Sequence, residues 1–312
     1  MIDIKLLEQL CLCNGISGDE GNVRNLIINE IKDCADDIKT DNLGNLIVFK
    51  KGKKSAKSKL MVSAHMDEVG LMVTDITSDG YLKFDEVGGI DRRVLPGKRV
   101  CVGRNGLNGV IGVKPIHLTN GDEKTAVPKM NDMYIDIGAE SREDALKYVN
   151  YGDGINFEGD FKINGKTVVT KALDDRFGCY VLINLIKSEP EYDMYFTFVV
   201  QEEVGLRGAR PAAFTVNPDF ALVIESTTAA DVAEVDASHQ VCNLSKGATV
   251  TVMDRATVYD KEMISAAFEL AEKNNIAVQY KRAVAGGNDS GAIHQSRGGV
   301  RTLAVSLPSR YI

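Results

Sequence analysis

The sequence contains no tryptophan, and aromatic residues make up 6% of its 312 residues. That leaves little material for the stacking platforms of a sugar-binding cleft. No long basic run occurs and the net charge is −7, which argues against a nucleic-acid surface. The one locally basic stretch, Lys51 to Lys59, is broken by Gly and Ser and reads as an exposed loop between strands. No apolar run approaches the roughly 20 residues that cross a bilayer. None of the six cysteines, Cys11, Cys13, Cys34, Cys101, Cys179 and Cys242, forms a Cys-x-x-Cys pair, so a thiolate metal site is not indicated. No secretory signal opens the chain, and the cysteines read as reduced, buried thiols of a cytoplasmic protein. No internal repeat or low-complexity tract is visible.

What is present is ordinary globular composition, with 44% hydrophobic and 26% charged residues, and a length that predicts two domains. Ile4, Leu6, Leu7 and Leu10 lie on one face of a first helix. Ser17-Gly18-Asp19-Glu20 has the form of a capping box ahead of a second helix carrying Val23, Leu26, Ile27 and Ile31. Asp41-Asn42-Leu43-Gly44-Asn45 reads as a turn, and Leu46–Phe49 and Leu60–Ala64 as strands. From about Val73 to Phe161, short β-like runs alternate with Gly-rich turns, which predicts a small β domain or barrel inserted into an α/β frame. After Asn164-Gly165 the α/β alternation returns. Arg176–Ile186 reads as a helix, and Asp260 as the cap of a helix bearing Met263, Ile264, Ala267, Phe268 and Ala271.

Chemistry-bearing residues recur at the ends of apolar segments. Tyr195–Val200 leads into Glu202 and Glu203. Leu60–Ala64 ends at His65, within His65-Met66-Asp67-Glu68. Ala221–Ile224 ends at Glu225, and Thr167–Thr170 leads into Asp174-Asp175-Arg176. Each has an ordinary explanation by itself. Paired glutamates after a strand commonly sit in a solvated loop, aspartates cap helices, and a single histidine is commonly structural. Four such ends in one chain fit a different account, because open α/β sheets bind ligands beyond the carboxyl ends of their strands. His, Asp and Glu are donors that zinc and similar divalent ions accept. Asp67, two residues after His65, is placed to orient the imidazole. Of the other histidines, His294 follows a Gly-rich loop leading into a helix and is not read as a ligand, His117 falls in the inserted segment as a structural residue, and His239 lies in a polar loop.

Taken in order, His65-Met66-Asp67-Glu68-Val69-Gly70, Ala172-Leu173-Asp174-Asp175-Arg176, Gln201-Glu202-Glu203-Val204-Gly205 and Gly286-Gly287-Asn288-Asp289 resemble the motifs of the tetrahedral aminopeptidases. These are also called glutamyl or deblocking aminopeptidases, and some relatives carry an older endoglucanase label. Asn42–Asn45 and Val252–Arg255 extend the match from Leu6 to Ile312. The resemblance implies a mixed-sheet, dinuclear-zinc exopeptidase-like α/β catalytic domain at 1–72 and 162–312. It also implies that the β-rich insert at 73–161 serves oligomerisation, with a hollow dodecamer as the family's assembly. It implies two divalent metal ions, zinc in the first place with cobalt or manganese as alternatives. His65, Asp174 and Glu225 would hold one; Asp174 would bridge to a second, held also by Glu203. Glu202 would be the general base toward a metal-bridging water, with Asp67 supporting His65, and short peptides would be the substrates.

One departure concerns the end of the chain. In the family, Arg-Tyr-Ile is followed by a His that completes the second metal site, whereas these residues end at Arg310-Tyr311-Ile312. A non-enzymatic or weakly active homologue with an incomplete second site is therefore the alternative reading. A glycoside hydrolase, which also needs two carboxylates, about 5–9.5 Å apart, is the distant one, since it has no need of a His ligand set.

Overall fold

The computed structural model describes residues 3–312. The chain divides into two compact units. One takes the chain up to Cys13, then Glu20–Asp67 and Ala172–Ile312; the other takes Asn14–Asp19 and Glu68–Lys171.

The first unit begins with α1 (Ile4–Leu12), capped by the Asp3 carboxylate accepting from the Leu6 amide at 3.2 Å. Next comes α2 (Gly21–Ile31), which starts after Glu20 with no side-chain cap. The helix starts one residue past the expected capping box, with Glu20 at its N-cap, and the Glu20 carboxylate accepts from the Gln201 amide at 3.1 Å. Strands β1 (Asp37–Thr40), β2 (Leu46–Lys50) and β3 (Leu60–His65) follow. Between β1 and β2, the predicted turn is built on Asp41, whose Oδ1 accepts from the amides of Leu43, Gly44 and Asn45.

The second unit is a closed barrel of β4 (Gly70–Ile76), β5 (Leu82–Val87), β6 (Arg99–Val102), β7 (Leu107–Val113), β8 (Met133–Asp136) and β9 (Gly154–Phe157). Leu71, Val73, Leu82, Phe84, Ile111, Ile135 and Ile155 fill its interior. Leu71 and Val73 on β4, and Leu82 and Phe84 on β5, stand two residues apart and so face the same side of their strands, as residues filling a closed barrel must. A short helix, α3 (Arg142–Ala145), is capped by Ser141, and a hairpin of β10 (Lys162–Asn164) and β11 (Thr167–Val169) ends the unit.

The chain then returns to the first unit with α4 (Leu173–Lys187), β12 (Met194–Val199), α5 (Ala209–Val216), β13 (Phe220–Thr228), β14 (Ala248–Val250), α6 (Lys261–Lys273), β15 (Val278–Tyr280), α7 (Ser290–Ile293) and β16 (Arg301–Ser309). Asp260 caps α6 as predicted, accepting from the Met263 amide at 2.9 Å. The eight-stranded sheet runs β1-β2-β12-β3-β13-β16-β14-β15. Its centre, β12, β3, β13 and β16, is parallel, and β1, β2 and β14 add antiparallel pairings. The fold is therefore α/β with a mixed sheet and a small barrel. The central strands are covered on both faces, which is why Phe196, Phe198, Val199, Met61, Val62 and Ala64 are all buried and why the sequence shows continuous apolar runs there. Burying a side chain of this size contributes about 1.5–3 kcal/mol.

Register sets the positions that matter. In the β12–β3 pair Val199 lies opposite His65. In the β13–β3 pair Val223 lies opposite Ser63, so two residues further Glu225 stands level with His65. Three adjacent parallel strands thus bring their residues to one height: β3 ends there with His65, β12 ends there just before Glu202, and β13 passes through it at Glu225 on its way to Thr228. Among the described residues no helix is long and apolar enough to cross a membrane.

Candidate metal centre

His65 is the hub, and it is buried to 1% exposure. Its Nδ1 lies 3.1 Å from the Asp67 carbonyl oxygen and 3.4 Å from Asp67 Oδ1. With the proton on Nδ1 donated to that carbonyl, Nε2 presents a lone pair to the opposite side. There it meets Asp174 Oδ1 at 3.2 Å and Glu225 Oε1 at 3.4 Å. The donor atoms of His65, Asp174 and Glu225 lie within 4.8 Å of one another, and so do those of His65, Glu202 and Glu203. The structure therefore brings together His65, Asp174, Glu202, Glu203 and Glu225, in two triads sharing His65. Asp174 is grouped with Glu225 and not with Glu203.

Two adjacent aspartates divide their work because the backbone of α4 departs from helical angles at both Asp174 and Asp175. Asp174 faces the histidine. Asp175, fully buried, turns the other way and accepts from the backbone amides of His65 at 3.2 Å and Gly178 at 3.0 Å. It binds the end of β3 to the first turn of α4. Arg176 extends this tie, its guanidinium donating to the carbonyls of Met66, Leu10 and Cys13.

Asp67 is fully buried and does more than face the imidazole. Its Oδ1 accepts from the Glu202 amide at 3.0 Å and its Oδ2 from the Glu203 amide at 3.1 Å. The Asp67 backbone carbonyl orients His65, while its carboxylate fixes the loop that carries both glutamates. The same loop is held at its root by Asn45, whose Oδ1 accepts from the Val200 amide at 2.9 Å and whose Nδ2 donates to the Gly208 carbonyl at 2.9 Å. Sequence reading assigns Asn45 only to a turn; its polar type in an Asn-Leu-Gly-Asn run gives no sign of a partner 155 residues away. Asp289 is the other residue whose part was missed. It stands at the N-cap of α7 without capping it, fully buried, and both its carboxylate oxygens lack a hydrogen-bond partner. His294 hydrogen-bonds the Ser290 carbonyl through Nδ1 at 2.7 Å and belongs to neither triad.

The electrostatics show what the cluster lacks. Burial works against a charged His65, but Glu225, then Asp174 and Asp67, outweigh it and hold its pKa well above the ordinary value. Burial, then repulsion from Asp174, pushes Glu225 well above the usual carboxylate range. Burial drives Glu202 the same way, joined by Glu225, Asp289 and Glu203. Asp289 is pushed to about 7 by burial and by Asp67 and Asp174. Glu225 Oε2 is buried with no partner. Six carboxylates around one imidazole are short of positive charge, and a divalent cation inverts that balance. The spacing also suits one: two donors at about 2.1 Å from a tetrahedral ion lie about 3.4 Å apart, close to the His65–Asp174 and His65–Glu225 separations. The residues present therefore fit divalent metal.

A mixed α/β sheet that delivers His, Asp and Glu from neighbouring strand ends into one buried cluster, with a barrel set into the chain, is the framework of a metal-dependent exopeptidase. The chain belongs to the M42 glutamyl aminopeptidase family, whose sequence model matches residues 44–312. It is 33% identical to the lysyl aminopeptidase of Pyrococcus furiosus, over all of this chain and 90% of that one. A TET aminopeptidase from a marine sediment thaumarchaeon superposes with a TM-score of 0.94 at 33% identity, covering 99% of this chain and 89% of the other. The TET1 peptidase of Pyrococcus horikoshii, which can assemble into a tetrahedron or a large octahedral shell, matches at 40% identity with a TM-score of 0.87, covering 99% and 92%. The protein is accordingly a metallo-aminopeptidase.

Proposed function

We propose that this aminopeptidase releases single residues from the N-termini of short peptides, with His65, Asp174, Glu203 and Glu225 as ligands of two divalent ions. The observation that carries the reading is the convergence of these four side chains, from separate strand and helix ends, on one cation-poor cluster. Nitrogen and carboxylate donors suit zinc first, and cobalt or manganese also accept them. Bound there, the ions would supply Lewis-acid polarisation of the scissile carbonyl and of the attacking water.

The remaining work falls to the chain. Glu202 takes the proton of the attacking water and returns it to the departing amine; its half-buried setting, which favours the protonated form, suits a carboxylate that must both accept and release a proton. Asp67 keeps Glu202 and Glu203 at a fixed offset from His65 through the two amides it holds. The barrel unit is the part of the chain proposed to mediate homo-oligomer assembly, of the dodecameric kind, in the cytoplasm. Enclosure in such an assembly limits substrates to short, unfolded peptides.

The test is metal-dependent release of a free N-terminal amino acid. Metal-loaded protein is expected to hydrolyse aminoacyl-p-nitroanilides and unblocked tetrapeptides, to lose that activity to a chelator, and to regain it when metal is restored. N-acetylated peptides and soluble cellulose serve as controls. Cleavage of cellulose, or peptide cleavage indifferent to N-acetylation, would refute the reading.

A further inference from the structure

The loop that carries Glu202 and Glu203 leaves β12 through four successive backbone amides, and each donates to a side chain from elsewhere in the chain. Asn45 Oδ1 accepts from Val200 at 2.9 Å and Glu20 Oε1 from Gln201 at 3.1 Å; Asp67 Oδ1 accepts from Glu202 at 3.0 Å and its Oδ2 from Glu203 at 3.1 Å. All three accepting side chains are buried. The carbonyls at the root of the loop are engaged as well, Val200 accepting from the Gly208 amide at 3.0 Å and Gln201 from the Arg207 amide at 3.1 Å. Glu20 is the N-cap residue of α2, yet its side chain makes no cap bond to that helix.

Gln201 is where this loop is strained. Its φ is +57°, in the left-handed region where the Cβ of an L-residue crowds the backbone. Glycine enters that region freely, whereas glutamine has no such freedom. A conformation of this kind persists only where the surroundings over-determine it. Asn45 pins the amide before Gln201 and Asp67 pins the two after it. A relaxation of the Gln201 φ must therefore turn the Val200–Gln201 peptide plane, and the bond from the Gln201 amide to Glu20 resists that turn. Gln201 directly precedes Glu202, so its backbone angles set the direction in which the Glu202 side chain leaves the strand end.

We propose that Glu20 is a positioning residue for Glu202: it locks Gln201 in the left-handed conformation and so aims the Glu202 carboxylate into the cluster. The proposal rests on the aminopeptidase reading above, in which Glu202 moves the proton, and adds a residue which that reading does not use. Glu20 touches no reacting atom in this account. Its effect passes through one peptide plane.

The full-length, metal-loaded protein is compared with Glu20→Ala, Glu20→Gln, Gln201→Val and the double variant Glu20→Ala/Gln201→Gly. The substrate is whichever aminoacyl-p-nitroanilide the parent turns over fastest. Glu20→Ala should lower kcat by about 10–100-fold, the effect of displacing a reacting group by about an ångström, with KM within about 2-fold of the parent. Glu20→Gln keeps an oxygen acceptor and should retain most of the rate. Glycine takes a positive φ without strain, so the double variant should regain about 10-fold of the lost kcat; a general loosening of the loop would instead be deepened by glycine. Gln201→Val leaves Glu20 in place but puts a β-branched residue where φ is positive, and should lower kcat about as much as Glu20→Ala. Hydrogen exchange of the metal-free protein reads the turn apart from turnover: the Gln201 amide should exchange at least about 10-fold faster in Glu20→Ala. Parent-like kcat or parent-like Gln201 exchange in Glu20→Ala, or a loss that Gln201→Gly does not restore, overturns the positioning role alone. Should Glu20→Ala fail to fold, parent-like kcat in Gln201→Val overturns it. Absence of release by the parent protein overturns it together with the aminopeptidase reading.

Discussion

Replacing Glu202 or Glu203 by Gln separates two carboxylates that adjoin in sequence and share one loop. The backbone of that loop is fixed from outside, by Asp67 on both amides and by Asn45 on the Val200 amide. A Glu→Gln change at either position keeps side-chain size and leaves those bonds in place, so the effect is confined to the charge at the tip. If Glu202 moves the proton, its loss removes general-base catalysis, about 10²–10⁴-fold in kcat, or about 2.7–5.4 kcal/mol of barrier. Metal content should stay as in the parent protein. Glu203→Gln should lose turnover and metal together, because a neutral amide is a poor replacement for an anionic oxygen donor. Elemental analysis after gel filtration gives metal per chain, and aminoacyl-p-nitroanilide hydrolysis gives the rate. Equal metal loss in the two variants would make Glu202 a ligand, and full activity in Glu202→Gln would remove it from the mechanism.

Three further outcomes are expected. Asp175→Ala strands two buried amides, at about 1–3 kcal/mol each; a net loss of about 3 kcal/mol should lower Tm by roughly 6–12 °C, read by calorimetry, and an unchanged Tm would show that Asp175 does not tie β3 to α4. Gly208→Ala places a Cβ 2.3 Å from the Val200 carbonyl oxygen and 2.4 Å from Asn45 Oδ1; the resulting shift of the Glu202 loop should cut kcat/KM at least about 10-fold at a stability cost of about 1–3 kcal/mol, and retention of full activity would mean the loop tolerates displacement. Arg301 and the Met263 amide hold the Asp260 pKa at about 2, below its ordinary 3.8. A depressed carboxyl pKa stabilises the fold above about pH 4 and ceases to do so as pH falls toward 2, so Asp260→Asn should flatten that part of the acid-unfolding profile; an identical profile would exclude the contribution.

The strand ends were legible because the buried parallel strands are mostly apolar and carry no charge, so a charged residue following Met61–Ala64, Phe196–Val200 or Ala221–Ile224 stands out. The Asp260 cap was legible because capping is local. What remained hidden depends on distant partners. Glu20 fits a capping box in sequence, yet its carboxylate is drawn to an amide 181 residues away. Asn45 and Asp67 each serve backbone groups of the Glu202 loop that no spacing rule connects to them. Asp289 appears in the sequence only as the close of a Gly-rich motif, and its burial without a hydrogen-bond partner depends on the fold around it. Strand β1, Asp37–Thr40, carries no apolar signal because it is an edge strand with mostly exposed side chains.

The salt bridge between Glu68 and Lys171, 2.9 Å long and with both side chains largely buried, joins the two ends of the long segment that separates His65 from Asp174. Closing a flexible loop of that length, 103 residues between the two partners, costs about 4 kcal/mol of chain entropy by the logarithmic rule. If the barrel folds first, with that ion pair formed, the cost has already been met within a structure whose contacts are mostly between neighbouring strands. The C-terminal end of β3 and the N-terminal end of α4 then emerge side by side, as though the chain between them were a few residues long. A barrel-first folding order therefore turns the most distant pair in the metal cluster into a nearly local one.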